Sequence, residues 1–330
     1  ATKCQRNAAY RLVLREAAFS QGHVAFIGNR SALQMPHETW RRAHTSPAAH
    51  SEWPHAPSAR RGMPESSASP TAEHAPPARR AQRQMVIEAA RDAGMLVVAE
   101  GGSLYNMDMN LVADGSTGIE HNIPTLKIYD DVRDFWSNTR VGYTPTLGVT
   151  YGGRTSEDRF YRDTEVWKHP LLSHFVPPTV LQPRAVRRVT APEPDYRDDD
   201  AAAVAKELME LGVLVNTGAH GQREGLATHW EMWSFVEGGM NPMQMLATAT
   251  INPARYLGMD ADLGSIETGK LADLQVVDGD PLEDVKSTDR ITHVMVNGRL
   301  YRANDLGEVV TGSRPAPTLW WHNQPQHQIR

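Results

Sequence analysis

Glu100, His121 and His220 are the side chains of this 330-residue sequence best suited by type to hold a divalent metal. Imidazole and carboxylate are ligands that zinc accepts. The one cysteine, Cys4, excludes both a cysteine cage and an intramolecular disulfide. Each candidate follows an apolar run. Residues 95–99 end at Glu100-Gly101-Gly102, Gly118-Ile119 runs into Glu120-His121, and 213–217 ends at Gly218-Ala219-His220-Gly221. A fourth run, 143–150, ends at Tyr151-Gly152-Gly153. In a parallel sheet or barrel, functional groups gather at the C-terminal ends of strands, because loops there vary without disturbing the core. Around one barrel mouth the three groups could therefore meet on one ion. Each also has a structural explanation: Glu100 as a helix cap or arginine partner, His121 as a hydrogen-bonded strand-end histidine. The small residues flanking His220 let the backbone approach another group closely. Tyr151 and His229 are candidates for substrate contact, although His229, within Thr228-His229-Trp230-Glu231-Met232-Trp233, also reads as a packed helix histidine.

The elements that must position these groups follow from the pattern. Helices are expected over 84–93, 104–113, 127–136 and 199–211, and strands over 95–99, 118–121, 143–151 and 213–217. Continuous apolar strands alternating with helices imply an α/β fold with a parallel sheet. Residues 154–197 form a long irregular stretch, of a length often used for a lid or a substrate-facing insertion. Short helices over 241–249 and 252–257 precede strands over 274–277 and 291–296. There Asn297-Gly298 signals a tight turn back along 299–301.

Composition bounds the rest. Between Leu33 and Val86 there is no Val, Ile, Leu, Phe or Tyr, so residues 36–80, rich in Pro, Ala, Ser, Arg and His, are expected to be a disordered linker. Its histidines, His37, His44, His50, His55 and His74, are irregularly spaced and are assigned no role. A net charge of −5 lacks the basic footprint of nucleic-acid binding. No apolar run approaches the ~18 residues of a membrane span, and residues 1–14 lack the apolar core of a secretory signal. A soluble chain of unassigned compartment is expected.

Four segments resemble the C-terminal half of the metal-dependent amidohydrolase superfamily, in its imidazolonepropionase-like or prolidase-like branch. They are Gly115-Ser116-Thr117-Gly118-Ile119-Glu120-His121, Thr250-Ile251-Asn252-Pro253-Ala254-Arg255-Tyr256-Leu257-Gly258, the run from Leu263 to Leu274, and Val294-Met295-Val296-Asn297-Gly298-Arg299. Tyr143-Thr144-Pro145-Thr146-Leu147 and Gly218-Ala219-His220-Gly221-Gln222 look closer still to members fused behind a Tol-type β-propeller. The resemblance spans about residues 79–301. It implies one or two divalent metals, zinc by ligand type, activating water against an amide or other C–N bond of a small-molecule or peptide-like substrate. His121 falls where the family has its sixth-strand histidine ligand. Glu100 ends the fifth strand, where histidine is usual, and His220 ends the eighth, where an aspartate serves as ligand and base.

Upstream the pattern departs. No His-x-His occurs anywhere, and the linker stands where the first half of a barrel is expected. The implied fold is α/β, a partial TIM-like (β/α) barrel holding strands five to eight, with a small C-terminal β-sandwich module. The expected division is a remnant of an N-terminal β-sandwich over 1–35, the linker over 36–80, the half-barrel over 81–258, the sandwich module over 259–303 and a flexible tail over 304–330. Half a barrel leaves sheet edges uncovered, so self-association or a complementary half-barrel is expected. An internal deletion or frame-altered stretch would also account for the missing strands. Two other readings stay open: an inactive remnant acting through partner association, and a metal-free enzyme pairing Glu100 with His220.

Overall fold

The computed structural model describes residues 11–12, 26–27, 77–186, 188–220, 223 and 225–323. The expected linker lies outside them up to residue 76, as do its five histidines. The first elements are strands β1 (Arg11–Leu12) and β2 (Phe26–Ile27), helix α1 (Pro77–Asp92), β3 (Leu96–Glu100), α2 (Tyr105–Ala113), β4 (Gly118–Glu120), α3 (Asp130–Ser137) and β5 (Gly142–Thr144). Helices α4 (Glu157–Asp163), α5 (Pro170–Phe175), α6 (Pro178–Val186), α7 (Asp198–Glu210), α8 (Leu226–Glu237), α9 (Pro242–Thr248) and α10 (Ile251–Tyr256) follow. Strands β6 (Leu274–Val277), β7 (Ile291–Val296) and β8 (Arg299–Arg302) complete the order. The chain divides into two compact units, Val24–Val97 and Ala1–His23 with Val98–Arg330.

In the smaller unit α1 begins at Pro77, ahead of the expected start at Gln84, because proline is tolerated in a first helical turn. It stops at Gly94, whose φ of 67° is left-handed. The Gly94 and Met95 amides donate to the Arg91 and Ala90 carbonyls at 3.0 and 2.8 Å, closing the helix with a Schellman motif. Ile87, Ala90 and Val97 then form a small apolar cluster with Met95. The segment around Phe26, read as a sandwich strand, instead pairs antiparallel with the start of β3, Phe26 opposite Val97 and Ile27 opposite Leu96. That pairing satisfies backbone groups that an open edge would leave exposed.

The larger unit holds an α/β arrangement and a separate antiparallel sheet. Strands β3, β4 and β5 run parallel, with Glu100 opposite Glu120 and Glu120 opposite Thr144. Residues 213–217 extend the series through one parallel bridge, Tyr143 to Val215, since the Tyr143 amide donates to Leu214 O and the Asn216 amide to Tyr143 O. The expected strand over 143–151 is cut short at Thr144. Thr146 turns left-handed at φ 54°, and Leu147–Val149 is a 3-10 turn. Helix α3 begins at Asp130, three residues later than expected, because Tyr129 is extended and α3 has acidic side chains in its first turn.

Ile119, Trp136, Tyr143, Leu208 and Phe235 are fully buried in one core. The Trp136 indole donates to Val141 O at 2.9 Å and meets Tyr143 edge-on. The stretch 154–197, expected to be irregular, instead contains α4, α5 and α6 with 3-10 turns at Val166–Lys168 and Glu193–Asp195. It returns to its start where the Arg154 amide donates to Asp195 O.

The antiparallel sheet has the order β1-β6-β7-β8. Asn297 and Gly298, at φ 49° and 76°, make the tight turn from β7 to β8. In the tail, expected to be flexible throughout, Trp320–Asn323 forms a 3-10 turn, and the Trp321 indole donates to His174 O. No helix among the described residues is long and apolar enough to cross a membrane.

Candidate active site

Three of the four parallel segments deliver a candidate side chain at their C-terminal ends. Glu100 closes β3, its side chain half exposed. One residue past β4, His121 donates its amide to Thr144 O at 2.8 Å and adopts a left-handed φ of 71°. Such a conformation costs a non-glycine residue about 1–2 kcal/mol. It swings a buried ring toward the strand ends: His121 Nε2 lies 3.5 Å from Glu100 Oε1. His220, also left-handed at φ 52°, ends the segment beyond Val215. Its ring centroid is 5.0 Å from that of His121. Gly218 is required two residues earlier, because a Cβ there would fall 2.3 Å from Thr144 Cγ2.

Tyr151 joins this group from the loop after β5, its ring 5.4 Å from His121. Asn122 holds it there. The Tyr151 amide donates to Asn122 Oδ1 at 2.6 Å, and Asn122 Nδ2 donates to Tyr151 O at 3.0 Å. This carboxamide clasp, buried beside His121, was not anticipated from sequence; its adjacency to His121 was the available signal. Replacing Asn122 by alanine strips both partners from the Tyr151 backbone, at a cost of about 1–3 kcal/mol per buried group left unpaired. Amide exchange at Tyr151 in Asn122→Ala is therefore expected to quicken by about tenfold or more, and an unchanged rate would show that the clasp does not hold the loop.

His229 is supplied by α8. It is buried in α8 with Nδ1 lacking a hydrogen bond, and burial, reinforced by His169, lowers its pKa to about 4. Among the described residues nothing joins it to Glu100, His121, His220 or Tyr151.

The electrostatics favour neutral groups. Burial, then the nearby His220, push the His121 imidazole below its ordinary pKa, while Glu100 opposes them. A neutral imidazole is the ligand form. Nearby lies a set of buried acids that the sequence reading passed over. Burial raises Asp108 to about 7 against the Gly102 amide that donates to it, and raises Glu120 to about 7 against the Thr144 hydroxyl. Glu231, within the apolar face of α8, is raised to about 8. Its signal was available: one carboxylate in the run Trp230-Glu231-Met232-Trp233.

Tetrahedral zinc at ordinary bond lengths separates two ligand atoms by about 3.3 Å and two bound imidazole centroids by about 5 Å. The His121 Nε2–Glu100 Oε1 distance of 3.5 Å and the 5.0 Å between the His121 and His220 ring centroids are of that order. The donor chemistry fits pair by pair. Among the described residues, no three His, Cys, Asp or Glu side chains are gathered closely enough to form a cage.

The model of the amidohydrolase family matches residues 66–301. The chain belongs to the amidohydrolase family. It is 38% identical over 80 residues to an imidazolonepropionase of Symbiobacterium thermophilum, a match covering 23% of this chain and 19% of that protein. It is 28% identical over 155 residues to a 5-methylthioadenosine/S-adenosylhomocysteine deaminase of Moorella thermoacetica, covering 40% and 36%. A solved Xaa-Pro dipeptidase with bound methionine in its active site is 25% identical, with a TM-score of 0.48 over 68% of this chain and 48% of that one. The matches span less than half the length of each of these proteins. As an amidohydrolase, the chain is a family member with a parallel α/β part and a separate antiparallel sheet.

Proposed function

We propose that this chain carries one half of an amidohydrolase barrel and contributes to hydrolysis of a C–N bond in a small or peptide-like substrate. In this reading β3, β4, β5 and residues 213–217 are barrel strands five to eight. Glu100, His121 and His220 would hold a divalent metal, zinc by ligand type, once drawn closer than the pairwise spacings of the free chain. The observation that carries the reading is the meeting of a carboxylate and two imidazoles at the C-terminal ends of neighbouring parallel segments. When bound, the metal supplies a Lewis acid and lowers the pKa of a water molecule. The chain's own residues do the rest. His121 stays neutral and so keeps a lone pair free for binding. His220 offers a ring nitrogen that can accept a proton, the task an aspartate performs elsewhere in the family. Tyr151, fixed by Asn122, borders a cleft walled by Pro124, Leu126 and Arg197, which would receive the substrate. The remaining strands come from a complementary half-barrel or a second copy of the chain. His229, the other candidate for substrate contact, is buried in α8.

The test is elemental analysis of the purified full chain together with its mass in solution. About one zinc-class ion per assembled site is expected, lost in His121→Ala and in His220→Ala with the fold retained. A folded chain that takes up no metal would overturn the proposal in favour of a non-catalytic half-barrel that works by association.

A further inference from the structure

Asp108 lies in the first turn of α2, yet its carboxyl does not cap that helix. The N-cap residue is Leu104, which makes no side-chain cap. Asp108 Oδ1 instead accepts the amide of Gly102, two residues ahead of that cap, at 2.9 Å. A carboxylate in a first helical turn ordinarily complements the free amides of its own helix; this one is committed to the turn outside it. The side chain is 1% exposed, and among the described residues Oδ2 has no partner at all. An acid is costly to bury on one hydrogen bond, so that bond is the feature to explain. The turn it holds leaves Glu100. Glu100 is the last residue of β3, Gly101 and Gly102 follow it, and the Gly101 amide donates to Glu120 O at 2.8 Å. Glu120 directly precedes His121. The turn is also pressed from both sides, since a Cβ at Gly101 would fall 2.6 Å from Glu120 O and 3.2 Å from Asp108 Oδ1. Two consecutive amides therefore tie the chain just beyond Glu100, one to the end of β4 and one to the Asp108 carboxyl. The Glu100 side chain is half exposed, so the backbone it springs from decides whether its carboxylate stays at 3.5 Å from His121 Nε2.

We infer that Asp108 is a positioning residue: from the first turn of α2 its carboxyl holds the Gly101–Gly102 turn against β4 and thereby sets the Glu100 carboxylate against His121. This rests on the proposed metal-binding role and deepens it by naming what holds two of the ligands together, but the Glu100–His121 contact is a feature of the fold whether or not an ion binds.

The experiment reads that contact directly. Cross-relaxation between the Glu100 side-chain methylenes and the His121 ring C–H groups is recorded by NMR on the full chain, assigned with Glu100→Ala and His121→Asn, and zinc titration follows on the same samples. Asp108→Asn keeps an acceptor for the Gly102 amide and is expected to keep the cross-peak and the affinity of the parent. Asp108→Leu is expected to lose the cross-peak and to weaken zinc by about 10–100-fold, the usual effect of removing a group that orients a ligand. In a Glu100→Ala background the same leucine substitution should weaken zinc no further, because Asp108 acts through Glu100. A role confined to stabilising α2 would lower the denaturant midpoint of Asp108→Leu and leave the cross-peak in place. If Asp108→Leu does not fold, Asp108→Ala takes its place with the same expectations. A cross-peak intact in the leucine or alanine variant would overturn the inference, as would its loss in Asp108→Asn or its absence from the parent. Full additivity with Glu100→Ala would do the same. A parent chain that shows the cross-peak but binds no zinc would sink the metal reading alone.

Discussion

Gly118→Ala is expected to be among the most damaging single substitutions in this chain, costing more than about 3 kcal/mol, the upper end of ordinary overpacking. A Cβ at Gly118 would fall 1.9 Å from Tyr256 Oη, 2.5 Å from its Cζ and 2.7 Å from Cε2. The ring also lies over Gly142 on the neighbouring strand, where a Cβ would fall 2.8 Å from its Cδ2 and Cε2. Tyr256 is thus pressed onto a glycine floor shared by β4 and β5. Asn252, one turn earlier in α10, anchors the same helix by donating to Val215 O at 3.0 Å. The Asn-Pro-Ala-Arg-Tyr run therefore acts as a clamp across three of the parallel segments. Denaturant midpoints would register the cost. Tyr256→Phe should be neutral or mildly stabilising, because the buried hydroxyl has no partner to lose. It should also soften the Gly118→Ala defect, since the closest clash is with that oxygen. A Gly118→Ala midpoint equal to the parent's would mean that Tyr256 does not occupy this floor.

Much of this arrangement could be read before any coordinates. Apolar runs closing on a polar residue located β3 and β4, and the acidic first turn and apolar spacing of 199–211 located α7 to within a residue. The Asn-Gly turn set β7 against β8 in register. These features are local, and local chemistry decides them. Other features depend on partners distant in sequence. The strand after residue 142 looked longer because 147–150 is apolar, yet the left-handed Thr146 diverts the chain, and that turn is what brings Tyr151 back to Asn122. The stretch 154–197 concealed three short helices because none has a long amphipathic repeat, and two of them, α5 and α6, open on proline. Glu100, His121 and His220 could be nominated from strand ends, but only the fold brings the Glu100 carboxylate within 3.5 Å of His121 Nε2 and the His220 ring centroid within 5.0 Å of that of His121. The Asn122 clasp works through the backbone amide and carbonyl of Tyr151, which carry no residue-type signature.

The buried acids give the second large effect, a fall in stability as pH rises above neutrality. For Glu231 the folded state keeps its proton to about 8, whereas the unfolded chain releases it near the ordinary 4.5. Between those values the folded state binds more protons, so raising the pH favours unfolding. Asp108 and Glu120 act in the same direction, half spent at about 7 and exhausted about one pH unit higher. The buried histidines oppose them only in acid. His229, held to about 4, and His121, also lowered, leave the unfolded state as the better proton acceptor below the ordinary 6.5, so that stability falls there as pH drops. From pH 6.5 to 8.5 the acids dominate, the histidine contribution fading by about 7.5, and Glu231 by itself should remove on the order of 2 kcal/mol. Urea midpoints taken across that window in the presence of a chelator should decline in the parent chain. In Glu231→Gln, which cannot ionise, the decline should shrink by about half and flatten above about pH 7.5, as Asp108 and Glu120 finish titrating, and the alkaline midpoint should exceed the parent's. Parallel pH profiles for the two proteins would mean that Glu231 does not titrate from a buried site, and the carboxyl would then have to reach solvent or a cation in the folded state.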